Sequence, residues 1–247
     1  MKYGVDISHW NGNIDFSKLD KDFVIMKVSQ GTHKDVKFDE YYFSCKLPKG
    51  VYIYNKVRNM AEAKAEAEYA VKCLKGKKLE YGVWLDMEDS TMKRLGKNVL
   101  TEIILTEANV LKQAGFKVGK YCNRDWYLNV LDTPLLSSLY PFWIARYPFV
   151  DNGSVKESLS PKALKGCKIW QYSSKGKVNG MGGNVDLNIE YASPFENVPS
   201  NPINTKTVDE LAKDVINGVY GNKETRKALL GNRYDEVQKR VNELLKK

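Results

Sequence analysis

Eight short segments rich in β-branched and aromatic residues recur along the first 195 residues, and helical patterns separate several of them. Strands that alternate with helices are expected to pair in parallel, and eight of them predict a closed, TIM-like β/α barrel. Two of the connecting segments, Glu62–Leu74 and Leu100–Ala114, have helical spacing of apolar residues. Between residues 140 and 190 the connections are shorter, so we expect this half of the α/β barrel to be irregular and strand-rich. The predicted strands are Tyr3–Ile7, Phe23–Val28, Gly50–Tyr54, Gly82–Met87, Lys117–Cys122, Phe142–Arg146, Lys168–Tyr172 and Val185–Leu187.

Four carboxylates fall toward the ends of these predicted strands, where a β/α barrel places its functional residues. They are Asp6, Asp86, Glu88 and Asp186. Asp86 and Glu88 are two residues apart, a spacing that puts both side chains on one face of a strand. The apolar run before them indicates a buried strand, and burying like charges together holds a proton on at least one carboxyl group. A carboxyl group that keeps its proton at neutral pH can serve as the general acid in glycoside cleavage.

Aromatic side chains also gather at the predicted strand ends, among them Tyr54, Tyr121, Trp143, Tyr147 and Trp170. Any one of them alone is explained by packing in the core. Their shared location favours a sugar-binding platform, because pyranose rings present apolar C–H faces to aromatic rings.

The net charge and the hydropathy of the chain limit the kinds of partner that the protein is expected to bind. The formal net charge is +9, which fits a soluble basic protein or one attracted to a polyanion such as nucleic acid or an anionic cell wall. Nucleic acid is disfavoured because the basic residues are scattered singly rather than clustered. No apolar run approaches the ~18 residues of a membrane-spanning helix, so no membrane insertion is expected.

Cysteine and histidine usage argues against metal and thiol chemistry. The four cysteines lie far apart, which is typical of reduced structural cysteines, and only His9 and His33 are available as imidazole ligands. We therefore expect no zinc site and no cofactor. Met1 and Lys2 lead directly into the first acidic strand, with no signal peptide between them. The expectation is a protein made in the cytoplasm that another factor must release if it acts outside the cell.

A proline-punctuated polar stretch divides the chain into a barrel over residues 1–195, a linker over 196–206 and a small module over 207–247. Thr207 and Glu210 form a capping box at the start of the module's first helix. Apolar residues at helical spacing predict two further helices, near Lys223–Leu230 and from Tyr234 onward. The simplest packing of these three short helices is a bundle around one small core.

Five motifs, in order, resemble those of glycoside hydrolase family 25, the Chalaropsis-type lysozymes found in many phage endolysins. The resemblance covers about 190 residues and implies an N-acetylmuramidase that hydrolyses the β-1,4 bond between N-acetylmuramic acid and N-acetylglucosamine in peptidoglycan. It also implies a barrel of about five β/α units followed by strand-rich connections. The motifs are Gly4-Val5-Asp6-Ile7-Ser8-His9-Trp10-Asn11-Gly12, Leu85-Asp86-Met87-Glu88, Trp143-Ile144-Ala145-Arg146-Tyr147, Trp170-Gln171-Tyr172-Ser173 and Val185-Asp186-Leu187-Asn188.

By this resemblance, Glu88 is the general acid, Asp186 assists the acetamido group or the nucleophile, and Asp6 and Asp86 shape the charge around them. Whether an aspartate attacks, orients a water, or positions the substrate's own acetamido group stays open at this stage. Two alternative functions remain. One is a peptidoglycan-binding protein that does not cleave the glycan, and the other is a nucleic-acid-binding protein, for which the net positive charge is the only support.

The C-terminal module resembles the wall-binding repeat of a pneumococcal phage lysozyme that does not need choline. The matching residues are Gly218-Val219-Tyr220-Gly221-Asn222, Arg226, and Tyr234 through Asn242. The resemblance implies binding to a muropeptide, with Tyr220 as an aromatic stacking face and Arg226 as a donor fork for a carboxylate. The alternative is that Tyr220 packs in the core and Arg226 is a solvated helix residue. A single repeat has low valency, so self-association through the module is a further expectation.

Overall fold

A computed structural model describes residues 1–196, 206–218, 220 and 223–246. Residues 197–205, which make up most of the predicted linker, lie outside this range, as do Val219, Gly221 and Asn222 of the repeat motif. In the part of the chain that is described, no helix combines the length and the apolar character required to cross a bilayer.

Residues 1–196 contain nine strands, and all eight predicted strands are among them. The strands are β1 Lys2–Ile7, β2 Phe23–Gln30, β3 His33–Lys34, β4 Lys49–Tyr54, β5 Val83–Asp86, β6 Val118–Asn123, β7 Phe142–Ala145, β8 Cys167–Gly176 and β9 Val185–Glu190. Eight of them close into a barrel, and the short strand β3 extends β2 as a hairpin. Around the barrel the order is β1, β2, β4, β5, β6, β7, β8 and β9, with β9 pairing back onto β1.

The expectation of parallel pairing throughout is wrong for the last strand. From β1 to β8 the barrel strands pair in parallel, whereas β9 is antiparallel to both β8 and β1. Only residues 177–184 connect β8 to β9, and they contain no helix. A connection this short returns the chain beside the strand it has just left, which requires antiparallel pairing.

Four α-helices lie in the barrel region: α1 Phe38–Ser44, α2 Met60–Leu74, α3 Lys97–Gln113 and α4 Thr133–Leu139. Helices α2 and α3 match the two predicted segments, and Asn59 caps α2 by accepting a hydrogen bond from the Glu62 amide (2.9 Å). The implied five β/α units become four among the described residues, because β1 and β2 are joined by two 3-10 turns, His9–Asn11 and Phe16–Lys18. The strands from β7 onward follow one another without an α-helix, as the shorter connections predicted.

The barrel has one apolar layer inside and another between the strands and the helices. Phe23, Ile25, Trp84, Trp143 and Ile169 fill the interior. A glycine on the neighbouring strand makes room for the largest of these rings, since a Cβ at Gly119 would clash with the indole of Trp84. This packed interior closes the barrel beneath the strand ends and leaves space only above it.

The described residues after 206 form three α-helices: α5 Val208–Ile216, α6 Lys223–Leu230 and α7 Tyr234–Leu245. The predicted capping box is formed at α5: Thr207 Oγ1 accepts from the Glu210 amide (3.3 Å), and Glu210 Oε2 accepts from the Thr207 amide (2.8 Å). Helix α5 packs against α7, and α6 packs against both α7 and the barrel helix α3. Leu211, Val215 and Val237 are buried at these contacts.

Candidate active site

All four predicted carboxylates line one cavity of about 430 Å³ above the packed interior. Asp6 and Asp86 lie near the carboxyl ends of β1 and β5, as a β/α barrel requires. Asp186, however, lies at the start of β9 rather than at its end. Because β9 runs antiparallel, its first residues meet the carboxyl ends of the other strands, and Asp186 pairs in register with Asp6.

Glu88 lies two residues beyond the last residue of β5, yet it faces the same cavity as Asp86. The backbone keeps the strand pattern past Asp86, since the Met87 amide donates to the Tyr121 carbonyl (2.9 Å) and the Met87 side chain is fully buried. The alternation that the sequence predicted therefore continues to Glu88. The next residue, Asp89, accepts hydrogen bonds from the Thr91 amide (2.8 Å) and hydroxyl and caps the following turn.

Burial and repulsion from neighbouring carboxylates raise the pKa of each of these carboxyl groups. Desolvation is the largest cause throughout. The neighbouring Asp186 charge raises the pKa of Asp6 further, and Glu88 does the same for Asp86, so both pKa values lie well above the ordinary range. The pKa of Glu88 is raised by burial and by Asp89, and that of Asp186 is raised to about 6 by burial and by Glu88. The cluster therefore retains protons that isolated carboxylates would lose.

The four groups divide into two buried and two half-buried members. Asp6 and Asp86 are 5% and 4% exposed, whereas Glu88 and Asp186 are open enough to meet a bound molecule. Within the described residues, Oδ1 of Asp86 has no hydrogen-bond partner. No protein hydrogen bond to the Glu88 carboxyl group is found in this part of the chain either.

Asp6 is held by two side-chain amides that the sequence analysis did not assign to the site. Gln171 Nε2 and Asn188 Nδ2 donate to Asp6 Oδ1 at 2.9 and 2.7 Å. Each amide is itself oriented, because Gln171 Oε1 accepts from the Tyr121 hydroxyl (2.7 Å) and Asn188 Oδ1 accepts from Trp143 Nε1 (2.8 Å). These donors favour the charged form of Asp6 and partly offset the effect of burial on its pKa.

Lys27 is a second residue that the sequence analysis missed. It follows Phe23 and Ile25 at alternate positions of β2, and its side chain lines the cavity beside the carboxylates. Lys27 Nζ lies 5.0 Å from the centre of the Tyr54 ring and donates to Gln30 Oε1 (3.0 Å). Its positive charge lowers the pKa of both Asp86 and Glu88. The signal available in the sequence was a lysine at an inward-facing position of a largely apolar strand.

Four of the five predicted sugar-binding aromatics line the cavity: Tyr54, Tyr121, Trp143 and Tyr147. Tyr147 also donates a hydrogen bond to Gln171 Oε1, so it supports the amide that holds Asp6. Trp10, which is 84% exposed and lines the same cavity, is an aromatic that the sequence analysis did not select.

The placement of Trp170 in the sugar site is wrong. Its neighbours Ile169 and Gln171 point into the barrel, so Trp170 points outward, where it is fully buried against Tyr172 and Tyr191. Its indole nitrogen donates to the Arg146 carbonyl (2.9 Å). Trp170 therefore supports the barrel wall.

In the C-terminal module, Tyr220 does not offer the stacking face that the resemblance implied. Its ring is 3% exposed and belongs to the apolar core, and its hydroxyl lies 3.4 Å from Asp214 Oδ2. Arg226 is half-buried, and its Nη1 donates to Gln238 Oε1 (2.7 Å) across to α7. The packing alternative, in which Tyr220 belongs to the core, is the one the structure supports.

The described residues contain no cluster of three or more His, Cys, Asp or Glu side chains arranged to hold a metal ion. The cavity lining offers carboxyl groups, with amide, phenol and ammonium groups around them.

Comparison with known proteins gives two family matches. Residues 5–181 match the model of glycosyl hydrolases family 25, and residues 209–245 match the CW_7 repeat. The first match contains Asp6, Asp86 and Glu88, and Asp186 follows it by a few residues.

Individual relatives are similar over about three quarters of the chain. The chain is 26% identical over 203 residues to Lysozyme M1 of Streptomyces globisporus, covering 75% of this chain and 66% of that protein. It is 31% identical over 192 residues to the lysozyme of Streptococcus phage Cp-7, covering 75% of this chain and 52% of that protein. The chain thus spans between about half and two thirds of the length of these relatives.

A solved structure shares the fold. The autolysin LytC of Streptococcus pneumoniae, solved in complex with a synthetic peptidoglycan ligand, superposes with a TM-score of 0.66 at 24% identity, covering 77% of this chain and 46% of that one. Since the family model matches well over half of the sequence, the chain belongs to glycosyl hydrolases family 25 and carries a CW_7 repeat after its catalytic-type barrel.

Proposed function

We propose that the protein is an N-acetylmuramidase that hydrolyses the β-1,4 bond between N-acetylmuramic acid and N-acetylglucosamine in bacterial peptidoglycan, and that it acts as an endolysin. The observation that carries the proposal is the set of four carboxyl groups with raised pKa values in one aromatic-lined cavity. Family membership and the peptidoglycan ligand of the LytC complex support the same substrate class.

Glu88 is the proposed general acid. Burial raises its pKa, which favours the protonated form that a general acid needs. Glu88 is also half-buried with no protein hydrogen bond in the described residues, so its carboxyl group is free to meet a glycosidic oxygen. Asp86 and Asp6 lie deeper, and their carboxyl oxygens would help to stabilise the positive charge that develops on the sugar ring in an oxocarbenium-like transition state.

Asp186 is the proposed partner of Glu88. It is the second half-buried carboxyl group of the cavity, and a pKa of about 6 leaves it mostly ionised at neutral pH. An ionised carboxylate in this position can assist either a nucleophile or the acetamido group of the bound sugar. Tyr54, Tyr147 and Trp10 at the cavity mouth supply apolar faces for the neighbouring sugars.

A barrel that only binds glycan is less well supported. Burying four like-charged groups together is destabilising, and a binding site gains nothing from an acidic group that keeps its proton. The three C-terminal helices are proposed as a bundle that holds the TIM-like barrel on the wall. With Tyr220 in the core, its binding surface must use other residues, with Arg226 the remaining candidate from the resemblance.

The test compares wild type with Glu88→Gln on purified cell walls, scored by the release of new reducing ends. Loss of a general acid typically costs 10² to 10⁴ in rate, so the variant should be inactive on the time scale of the assay. Glu68→Gln, the same substitution at an exposed position of α2, is the matched control and should retain full activity. Full cleavage by Glu88→Gln would overturn the assignment.

A further inference from the structure

A second pocket of about 290 Å³ adjoins the acidic cavity, and Lys27 lines both. We refer to it as the side pocket. It is formed by the 3-10 turn after β1, the β2–β3 hairpin and the residues that follow it. Its lining residues are His9, Lys27, Gln30, His33, Lys34, Asp35 and Val36. It therefore offers a second binding space beside the cavity in which the reacting sugar would lie.

The side pocket is cationic, in contrast to the acidic cavity. Its one carboxylate, Asp35, is buried and already engaged: it accepts from His9 Nδ1 (2.6 Å), from the His9 amide (3.2 Å) and from the Lys37 amide (3.0 Å). Lys27 forms no ion pair with a carboxylate within the described residues, since its ammonium donates to the neutral amide of Gln30. An anion entering the pocket would not have to displace a protein carboxylate from Lys27.

The two other basic side chains of the pocket, Lys34 and His33, also favour an anionic ligand. Lys34 pairs with Asp39, but Asp39 is shared with Lys77 at 3.5 Å, so one carboxylate serves two ammonium groups. The imidazole of His33 is exposed and forms no hydrogen bond with any described residue. Val36, which is 84% exposed, adds an apolar surface beside these polar groups.

We infer that the side pocket binds the carboxylate-bearing substituent carried by the sugar in the acidic cavity. This inference rests on the proposed function. A linear glycan needs only a groove that passes through the cavity, whereas a lateral pocket fits a branch. In peptidoglycan that branch is the lactyl ether of muramic acid, which ends in a carboxylate or continues as a short acidic peptide. The acidic cavity repels such an anion, and the side pocket attracts it. Recognition of this branch would decide which sugar of the glycan occupies the position beside Lys27. Muramic acid would be admitted there, and glucosamine, which has no such branch, would not.

Binding is measured first, by calorimetry, with soluble muropeptides that differ only at the branch. The ligands carry a free lactyl carboxylate, a peptide stem with free carboxylates, or the methyl esters of each. His33→Gln with Lys34→Gln should weaken binding of the carboxylate forms about tenfold, as expected for loss of a charge-assisted contact, and leave the esters unchanged. A loss confined to the peptide form places the carboxylate on the stem, and a loss confined to the lactyl form places it on the lactyl group. A loss with both forms shows that the pocket accepts either carboxylate, because the lactyl carboxyl group is an amide in the stem-bearing ligand.

Lys64→Gln, at an exposed lysine on α2, is the control variant and should bind like wild type. On cell walls the double variant should raise KM with little change in kcat, since the side pocket contributes to binding and not to bond cleavage. Equal weakening with acids and esters, or no weakening at all, would overturn the inference while the Glu88 result stands. Carboxylate-dependent binding in a protein that cuts no glycan would overturn the proposed function and retain the side pocket as an anion site.

Discussion

Asp186→Asn should make the protein more stable at neutral pH while it removes activity. Burial and the nearby Glu88 raise the pKa of Asp186 from an ordinary value of 3.8 to about 6. Each tenfold change in proton affinity corresponds to about 1.4 kcal/mol, so keeping this group ionised in the folded state costs about 3 kcal/mol relative to the unfolded chain. Asparagine has nearly the same shape and carries no charge, so the variant escapes that cost.

The sign of the pH dependence follows from proton binding. The folded state binds the Asp186 proton more tightly than the unfolded chain, so the free energy of unfolding of wild type falls as the pH rises from about 4 to about 6. Below pH 4 the residue is protonated in both states and the variant gains nothing. Above pH 6 the gain of the variant should level off at up to about 3 kcal/mol.

Urea denaturation at a series of pH values, followed by tryptophan fluorescence, measures this difference. Asp20→Asn, at an exposed aspartate in the β1–β2 connection, controls for the general effect of removing one negative charge. If Asp186→Asn is no more stable than wild type at pH 8, or if its gain does not change between pH 4 and pH 7, the account of a desolvated, mutually repelling cluster is refuted.

Three further substitutions test the surroundings of the cluster. Lys27→Met removes the positive charge that lowers the pKa of Asp86 and Glu88, so the alkaline limb of kcat/KM against pH should move upward, and Lys27→Arg should leave it in place. Asn188→Ala leaves the buried Trp143 indole N–H without a partner and removes one of the two amides that donate to Asp6, so it should lower the free energy of unfolding by about 2–3 kcal/mol; an unchanged urea midpoint would contradict this. Gly119→Ala forces a Cβ against Trp84 and should cost about 1–3 kcal/mol in the same assay, whereas Gly182→Ala, where a Cβ meets nothing within 4 Å, should cost far less.

The sequence predicted the barrel strands because their two-residue alternation and apolar runs are local signals. The same alternation predicted that Asp86 and Glu88 share one face, and both line one cavity even though β5 ends between them. It did not reveal the direction of β9, because pairing direction depends on how the chain returns through residues 177–184. The short helices α1 and α4 were missed because seven residues hold too few turns to show a period.

The errors in the site have a common physical origin. A strand buried on both faces gives no sequence signal for which face lines the cavity, so Trp170 was selected although Gln171 beside it points inward. Tyr220 was misplaced for the related reason that an aromatic residue fits a core and a binding face equally well. Gln171 and Asn188 acquire their roles only when β8 and β9 close the barrel onto β1, a long-range contact that no local pattern encodes.

The identity of the sugar at each new reducing end tests the central claim most directly. Purified cell walls are digested with wild type and with Glu88→Gln, the products are reduced with borohydride, and the reduced sugar is identified by mass spectrometry. Reduced muramic acid in the wild-type digest, absent with the variant, is the predicted result. Reduced glucosamine, or reduced muramic acid from both proteins in equal amount, would contradict the account.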